Sequence, residues 1–263
     1  MSGETFAGGI EGRIETLRRH ARYTWELLRG VDVAVRPFQP GEDGPLGSFS
    51  PPEDETEVDR YWVNAPFAYV VITHDDEESE YRYHAVEPDL DEFAASLLER
   101  IVEDIRDPLL YRSGSDTAEE ETLREELESL LEQYGTNVDM ATFHALFYYL
   151  YRDFRAFGKV DPLLNDAHIE DVSCDGYDLP IFVYHDDYTD LETNVTYGRE
   201  ELDNYVIRLA QQSGKHISVG EPIVETTLPD GSRAELALGE EVTPRGSAFT
   251  IRQYADDPFT PID

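Results

Sequence analysis

Lysine is almost missing from this chain: of 263 residues, only Lys159 and Lys215 are lysines. Lysine and arginine together number 21 against 57 Asp and Glu, a formal charge of -36. Nucleic-acid binding draws its affinity from neutralised phosphates. The densest basic stretch, Arg13, Arg18, Arg19 and Arg22, is diluted by Glu11 and Glu15, so no nucleic-acid partner is expected. Cysteine is nearly missing too. Cys174 stands alone, so it can form no internal disulfide and cannot hold zinc by itself; it reads as a small core or turn residue. No apolar run approaches the roughly 18 residues of a membrane span. The opening MSGETFAGGIEGRIE has no apolar signal-peptide region. The expected location is therefore the cytoplasm, or the inner face of the cell membrane through a partner, without direct insertion.

Catalytic motifs are also lacking. A phosphate-cradling loop needs Gly-x-x-x-x-Gly-Lys-Ser/Thr. Gly214-Lys215 is followed by His216 and has Leu209 where the first glycine belongs. There is no His-Glu-x-x-His, Gly-x-Ser-x-Gly or Gly-x-Gly-x-x-Gly. His74-Asp75-Asp76 and His185-Asp186-Asp187 have ligand-type side chains, but both sit in polar, acid-rich turns and read as solvated loops. No catalytic residue and no metal ligand is assigned.

What the chain does have is acid spread among aromatic and apolar stripes, with 40% hydrophobic residues. That pattern fits a folded, salt-adapted protein better than a disordered tail. Residues 8 to 29 carry Ile10, Ile14, Leu17, Ala21, Trp25 and Leu28 at helical spacing, ended by Gly30. Residues 37 to 56 are rich in Pro and Gly and read as a linker. Tyr61–Thr73 and Glu80–Val86 read as a β-hairpin across the polar His74–Ser79.

Three helices are expected next. Residues 90–107 carry Phe93, Leu97, Leu98, Ile101, Val102 and Ile105 inward and are closed by Pro108. Residues 118–134 open on Thr117 and Glu120 as a capping box. Residues 140–156 carry Phe143, Leu146, Phe147, Leu150, Tyr151 and Phe154, with Tyr148 and Tyr149 widening the face.

Gly158, Asp161 and Pro162 mark a boundary. Leu163–Gly176 mixes polar and apolar residues and is assigned no element. Beyond it, strands are expected at Pro180–Tyr184, Leu191–Thr196, Pro222–Thr227, Arg233–Leu238 and Phe249–Tyr254. A helix over 199–212 points Leu202, Tyr205, Val206 and Leu209 inward. The sequence Pro229-Asp230-Gly231 signals a turn. The fold class is α+β. Its expected parts are an N-terminal helix and linker (1–56), a β-hairpin plus three-helix region (57–157), a small α+β domain (158–257) and the start of a linker (258–263).

One set of segments carries a family resemblance. It runs Asp161-Pro162-Leu163-Leu164-Asn165-Asp166, Ile169-Glu170-Asp171-Val172, Asp175-Gly176, Pro229-Asp230-Gly231-Ser232-Arg233, Pro244-Arg245-Gly246-Ser247 and Phe249-Thr250-Ile251-Arg252. In this order and spacing they resemble the N-terminal domain of the type II/IV secretion system ATPases, the hexameric motors of archaeal pili and the archaellum. The upstream Tyr61-Trp62-Val63 to Pro66 and Tyr81 to Glu87-Pro88 resemble the extra N-terminal region of archaeal members. The likeness covers roughly residues 57 to 263.

The resemblance implies a PAS-like small domain and a RecA-like motor domain that is absent here, with its Walker A and Walker B. This would then be a truncated or split gene product, or an isolated non-catalytic half, inactive alone. It implies partners: a motor domain or motor-bearing chain, like subunits in a hexameric ring, and a membrane platform protein. It implies ATP and Mg as cofactors only in the full-length protein. Arg252, Arg245 and Arg233 would be the residues reaching toward the nucleotide phosphates, since arginine stays charged and offers a fork of donors. The alternative is a stand-alone adaptor or regulatory protein of the same apparatus. Alone, the chain is expected to be mostly monomeric, because ring closure in this family leans on the motor domain.

The charge generates a test. The screening length is about 10 Å at 0.1 M salt and about 3 Å at 1 M. Self-repulsion can consume much of the roughly 5 to 15 kcal/mol that holds a domain folded. Circular dichroism should show a cooperative fold above about 1 M salt and loosening on dilution. A thermal midpoint that stays flat down to about 0.1 M NaCl would rule out the salt dependence.

Overall fold

The computed structural model describes residues 45–110 and 116–253. The helix expected at 8–29, the linker before residue 45, Arg13, Arg18, Arg19 and Arg22, and the segment 254–263 lie outside the described residues, as do the side chains of Thr117 and Glu120. The described residues form a mixed α+β fold without a RecA-like nucleotide-binding core. They fall into two compact units. The first takes in residues up to Phe49, Asn64–Tyr69 and Val86–Gly158; the second takes in Ser50–Val63, Val70–Ala85 and residues from Lys159 on.

The first unit is built on three helices: α1 (Glu92–Leu110), α2 (Asp116–Gln133) and α3 (Met140–Phe154). Their helical-period stripes meet in one core of Leu97, Ile101, Ile105, Leu123, Leu127, Leu131, Phe143, Leu146, Phe147 and Leu150. Two expected inward residues point out: Phe93 is 57% exposed and Tyr151 37%. Phe93 lies in the first turn of α1, and Tyr151 near the end of α3, where a stripe runs off the edge of a three-helix core. Helix α1 also passes the expected stop at Pro108 and ends at Leu110. A proline this near the C-terminus removes only one late hydrogen bond. Asp139 caps α3 by accepting the Thr142 N–H at 2.8 Å, which satisfies one of the helix's free amides.

Within this unit, Arg152 ties α3 to the segment that leads into α1. It is buried, and its Nη1 donates to both carboxylate oxygens of Glu87 at 2.7 and 2.8 Å. Its Nε reaches Asp153 at 2.8 Å. The Tyr148 hydroxyl donates to the same Glu87 at 2.7 Å, and the Tyr149 hydroxyl donates to the Pro88 carbonyl at 2.7 Å. Gly47 lies so close to this segment that a Cβ there would stand 2.0 Å from the Glu87 carbonyl oxygen.

The second unit centres on a nine-stranded sheet. Its strands are β1 (Glu55–Asn64), β2 (Ala68–Asp75), β3 (Glu80–Val86), β4 (Ile169–Cys174), β5 (Pro180–His185), β6 (Thr189–Thr196), β7 (Ile223–Thr227), β8 (Arg233–Ala237) and β9 (Ala248–Arg252). They are ordered β1-β2-β3-β6-β5-β4-β9-β8-β7. The expected hairpin is a three-strand meander, because the turn at residues 65–67 breaks the Tyr61–Thr73 run in two. These three strands share a sheet with the later six rather than standing apart from them. The join is a short parallel ladder of β3 on β6, pairing Arg82 with Glu192 and Tyr83 with Thr193. Asn194 extends it with its side-chain amide, which accepts from the Ala85 N–H at 2.9 Å and donates to the Ala85 carbonyl at 3.0 Å.

The unassigned stretch 163–176 turns out to hold the end of the short helix α4 (Asp161–Leu164) and the inner strand β4. Helix α5 (Arg199–Gln212) buries Leu202, Tyr205, Val206 and Leu209 as expected. It packs on β8 and β9. Gly214 takes φ +69 just past it, and the Lys215 N–H closes on the Ala210 carbonyl at 2.8 Å, as a helix-ending glycine does.

Two predictions follow from the first unit's interior. Truncating Arg152 to Ala leaves Glu87 and Asp153 without their cation. Urea unfolding should show a loss of about 3 kcal/mol, and Arg152→Lys should recover only part of it, because an ammonium lacks the fork. The second concerns His144, buried on α3. Burial holds its imidazole down to about 4. An unfolded histidine titrates near 6.5, so over this interval the unfolded chain binds the proton first. Stability from this group is complete above about pH 6.5 and falls as pH drops toward 4. The loss is up to about 3 kcal/mol. His144→Phe should flatten this part of the stability–pH curve in urea titrations.

Candidate functional site

The arginines singled out above lie on or beside one half of the sheet. Strands β4, β9 and β8 alternate residues between two faces. Val172, Cys174, Phe249, Ile251, Ala234 and Leu236 are buried. Tyr205 of α5 sets its ring 5.3 Å from that of Phe249 on this covered face. The thiol of Cys174 is buried here, which pushes it up to about 11 and makes it the inert core residue expected. The opposite face carries Asp171, Ser173, Thr250, Arg252, Glu235 and Arg233.

Register places three charges in one row across this open face. Asp171 on β4 pairs with Arg252 on β9, and Arg252 pairs with Arg233 on β8. The Arg252 side chain is 71% exposed and forked onto Asp171, with Nε to Oδ1 at 2.8 Å and Nη2 to Oδ2 at 3.2 Å. These hydrogen bonds, followed by the Asp171 charge, raise its already high pKa. Arg233 is exposed beside it.

Arg245 sits elsewhere. It belongs to the loop between β8 and β9, at the end of β9 opposite Arg252, and the five residues of β9 span roughly 15 Å. The loop is held by its backbone. The Arg245 carbonyl accepts the Tyr177 N–H at 3.0 Å. Gly176, at φ +147, comes so close that a Cβ would stand 2.5 Å from that carbonyl oxygen. Gly246, at φ +104, likewise has the Tyr177 ring where a Cβ would go. Asp203 of α5 accepts from the Tyr177 hydroxyl at 2.7 Å and from the Ser247 hydroxyl. The Arg245 side chain is left exposed on this fixed backbone.

The structure thus brings Arg252 and Arg233 together and keeps Arg245 apart. What spacing alone misses is the support: Asp171, Tyr177, Asp203 and the whole of β4. Only the Gly176 and Gly246 positions, inside the recognised segments, hint at a close backbone approach. Chemically, the open face can offer an anion the guanidinium donors of Arg252 and Arg233, while Asp171 and Glu235 balance their charge. Among the described residues it offers no cradle of backbone amides for a triphosphate. The two His-Asp-Asp triplets part company. His74 pairs locally with Asp76 at 2.9 Å and stays at the surface, whereas His185 turns into the unit and is fully buried.

Comparison with known proteins adds three findings. Residues 15–89 match the family described as PilB3-like, N-terminal. The chain is 33% identical over 180 residues to the uncharacterized protein MJ1288 of Methanocaldococcus jannaschii, covering 67% of this chain and 71% of that one. It is 29% identical over 242 residues to the uncharacterized protein MJ0781 of the same organism, covering 90% of this chain but only 32% of that longer one. Among solved structures, the VirB11 ATPase of the Brucella suis type IV secretion system, in complex with sulphate, overlaps 38% of this chain and 30% of its own at 22% identity and a TM-score of 0.31.

Proposed function

We propose a function from one premise: the chain belongs to the archaeal family that includes MJ1288, and it carries an N-terminal domain related to PilB3 and the type II/IV secretion ATPases. It serves as the non-motor, N-terminal module of such an ATPase, a PAS-like ring and regulatory domain that hydrolyses no ATP by itself. ATP and Mg are bound where a RecA-like motor, in the same polypeptide or a partner chain, meets this module. Like modules close a hexameric ring on a membrane platform at the cytoplasmic face.

The observation that supports this reading best is the open row of Arg252 and Arg233 on an otherwise acid-rich chain. An exposed ion pair is worth only about 0 to 1 kcal/mol, so the Asp171 carboxylate can yield Arg252 to a polyphosphate. A forked guanidinium then meets phosphate oxygens in the geometry that suits it. Arg245, 15 Å or so along the strand, is suited to a different neighbour than the phosphates that Arg252 meets.

In high salt, with the motor present, Arg252→Ala should lower the ATPase rate by at least about tenfold, a loss of roughly 1.4 kcal/mol. Arg252→Lys should rescue it only in part. Unchanged rate and nucleotide affinity in Arg252→Ala would overturn the phosphate-contact role. An ATPase rate that is the same with and without this whole module would overturn the regulatory reading itself.

A further inference from the structure

One cluster in the second unit is absorbed by nothing above. His168 precedes β4 and His185 ends β5, so the antiparallel hairpin sets them side by side with their rings 5.2 Å apart and within 7° of parallel. Asp186 completes the group. Its Oδ1 lies 3.0 Å from His168 Nδ1 and 3.3 Å from His185 Nδ1. Among the described residues, these three form the group of potential ligand atoms that lie within 4.8 Å of one another.

The protonation of His185 is set by its neighbours. Its Nδ1 accepts the Asp187 N–H at 3.1 Å, so the ring proton sits on Nε2. That nitrogen faces the Tyr61 hydroxyl oxygen at 3.0 Å, and Tyr61 spends its own proton on Asp166 at 2.8 Å. The result is a directed relay, with His185 Nε2–H to Tyr61 and Tyr61 O–H to the buried Asp166 carboxylate. Such an outer partner fixes the tautomer of a metal-bound imidazole and leaves the other nitrogen as the donor. The arrangement also has an unresolved electrostatic feature. His185 Nδ1 and Asp186 Oδ1, both electron-rich, face each other at 3.3 Å, and His168 Nδ1 stands 3.0 Å from the same Asp186 oxygen. A cation between them turns that repulsion into attraction.

We propose that His168 Nδ1, His185 Nδ1 and Asp186 Oδ1 bind a divalent transition-metal ion of the zinc class. Two imidazoles and one carboxylate form a borderline-soft donor set of the kind zinc takes, with water completing the shell. Bonds of about 2.0 to 2.1 Å in tetrahedral geometry put ligand atoms about 3.3 Å apart, which the 3.0 and 3.3 Å separations already match. Binding needs two adjustments. The stacked rings share no common in-plane point, so His168, the exposed member, tilts. The Asp187 amide, on an exposed turn, returns to water as the ion takes the His185 lone pair. His168 binds as the tautomer that carries its ring proton on Nε2, which leaves Nδ1 as the donor to the metal.

Tyr61, whose ring stands 5.4 Å from His168, and Tyr188, 5.1 Å from His185, wall the site on its inner side. The side chain of Asp186, 46% exposed, leaves it open to solvent on the other. The ion would clamp the free end of the β4–β5 hairpin and hold β1 to it through Tyr61.

The test uses the chelator-stripped chain in about 1 M KCl, which screens the diffuse acidic surface. Titration with Zn2+, followed by calorimetry, should give one tight equivalent and a raised thermal midpoint. Co2+ in its place should show the intense visible absorption of a four-coordinate, nitrogen-bearing site. His168→Ala removes an exposed ligand and should weaken Zn2+ binding on the order of 100-fold, and Asp186→Asn should weaken it similarly. Tyr61→Phe, which removes the partner of His185 Nε2 and also one of the donors to Asp166, should weaken it about 10-fold. Wild-type uptake no greater than that of the His168→Ala/Asp186→Asn double variant, or weak octahedral Co2+ absorption alone, would overturn the proposal. If His168→Ala fails to fold, Asp186→Asn decides it, and wild-type affinity there overturns the site.

Discussion

A single buried carboxylate holds the second unit together. Asp166 is 2% exposed, and stripping an ionised carboxylate of water costs several kcal/mol unless donors replace the water. Here they do. The hydroxyls of Tyr61 and Tyr83 donate to its Oδ2 at 2.8 and 2.9 Å, and the His168 N–H donates to its Oδ1 at 2.9 Å. Tyr61 comes from β1, Tyr83 from β3, and His168 from the residue before β4. Both phenols are held in their neutral form, by burial first and by the Asp166 charge second. They therefore remain donors at any pH the fold survives. The constraint is reciprocal: the carboxylate tolerates burial only while β1 and β3, both distant from it in sequence, stay in place around it.

This explains how so short a parallel ladder can join two sets of strands. Parallel pairing is slightly weaker per residue than antiparallel, and β3 on β6 has few backbone pairs to offer. The Asp166 contacts to Tyr83, and Asn194 acting as an extra rung on Ala85, supply side-chain bonds across the junction. Nearby, Glu55 is almost as deeply buried and is satisfied in the same manner, by Thr73, His84 and Arg82. A chain with 57 acidic residues thus uses some of its carboxylates as interior connectors, each paired with donors from different strands.

How far the sequence foretells this depends on the range of the interaction. Helices α2, α3 and α5 were legible because their stripes are local and repeat every three or four residues. The turn at Pro229-Asp230-Gly231 was legible because Gly231 takes φ +94, which a turn glycine does without cost. Strand β4 was not. Its sequence, IEDVSC, puts two acids side by side, and the partner of one of them, Arg252, arrives only when β9 pairs with β4. The break in the β1–β2 run was overlooked although Asn64 and Pro66 mark it, because the residues on either side are aromatic and β-branched. The His168–His185–Asp186 group escaped for a plainer reason. His185-Asp186-Asp187 looks like a solvated turn until a hairpin delivers His168, and a tyrosine more than a hundred residues upstream supplies the second hydrogen bond.

The first segment of the family resemblance is itself mostly structural. In Asp161-Pro162-Leu163-Leu164-Asn165-Asp166, Asp161 is buried, with its carboxylate and carbonyl both taken by the Asn165 amide, Leu163 is core, and Asp166 is the hub just described. Gly176 and Gly246 keep their places because Arg245 and Tyr177 fill the space where a side chain would go. None of these residues needs a ligand to account for it. These residues pin the sheet, and pinning fixes a fold more firmly than it fixes a chemistry. The open face and the hairpin end are different: there the side chains of Arg252, Arg233 and His168 project from a frame held by other groups.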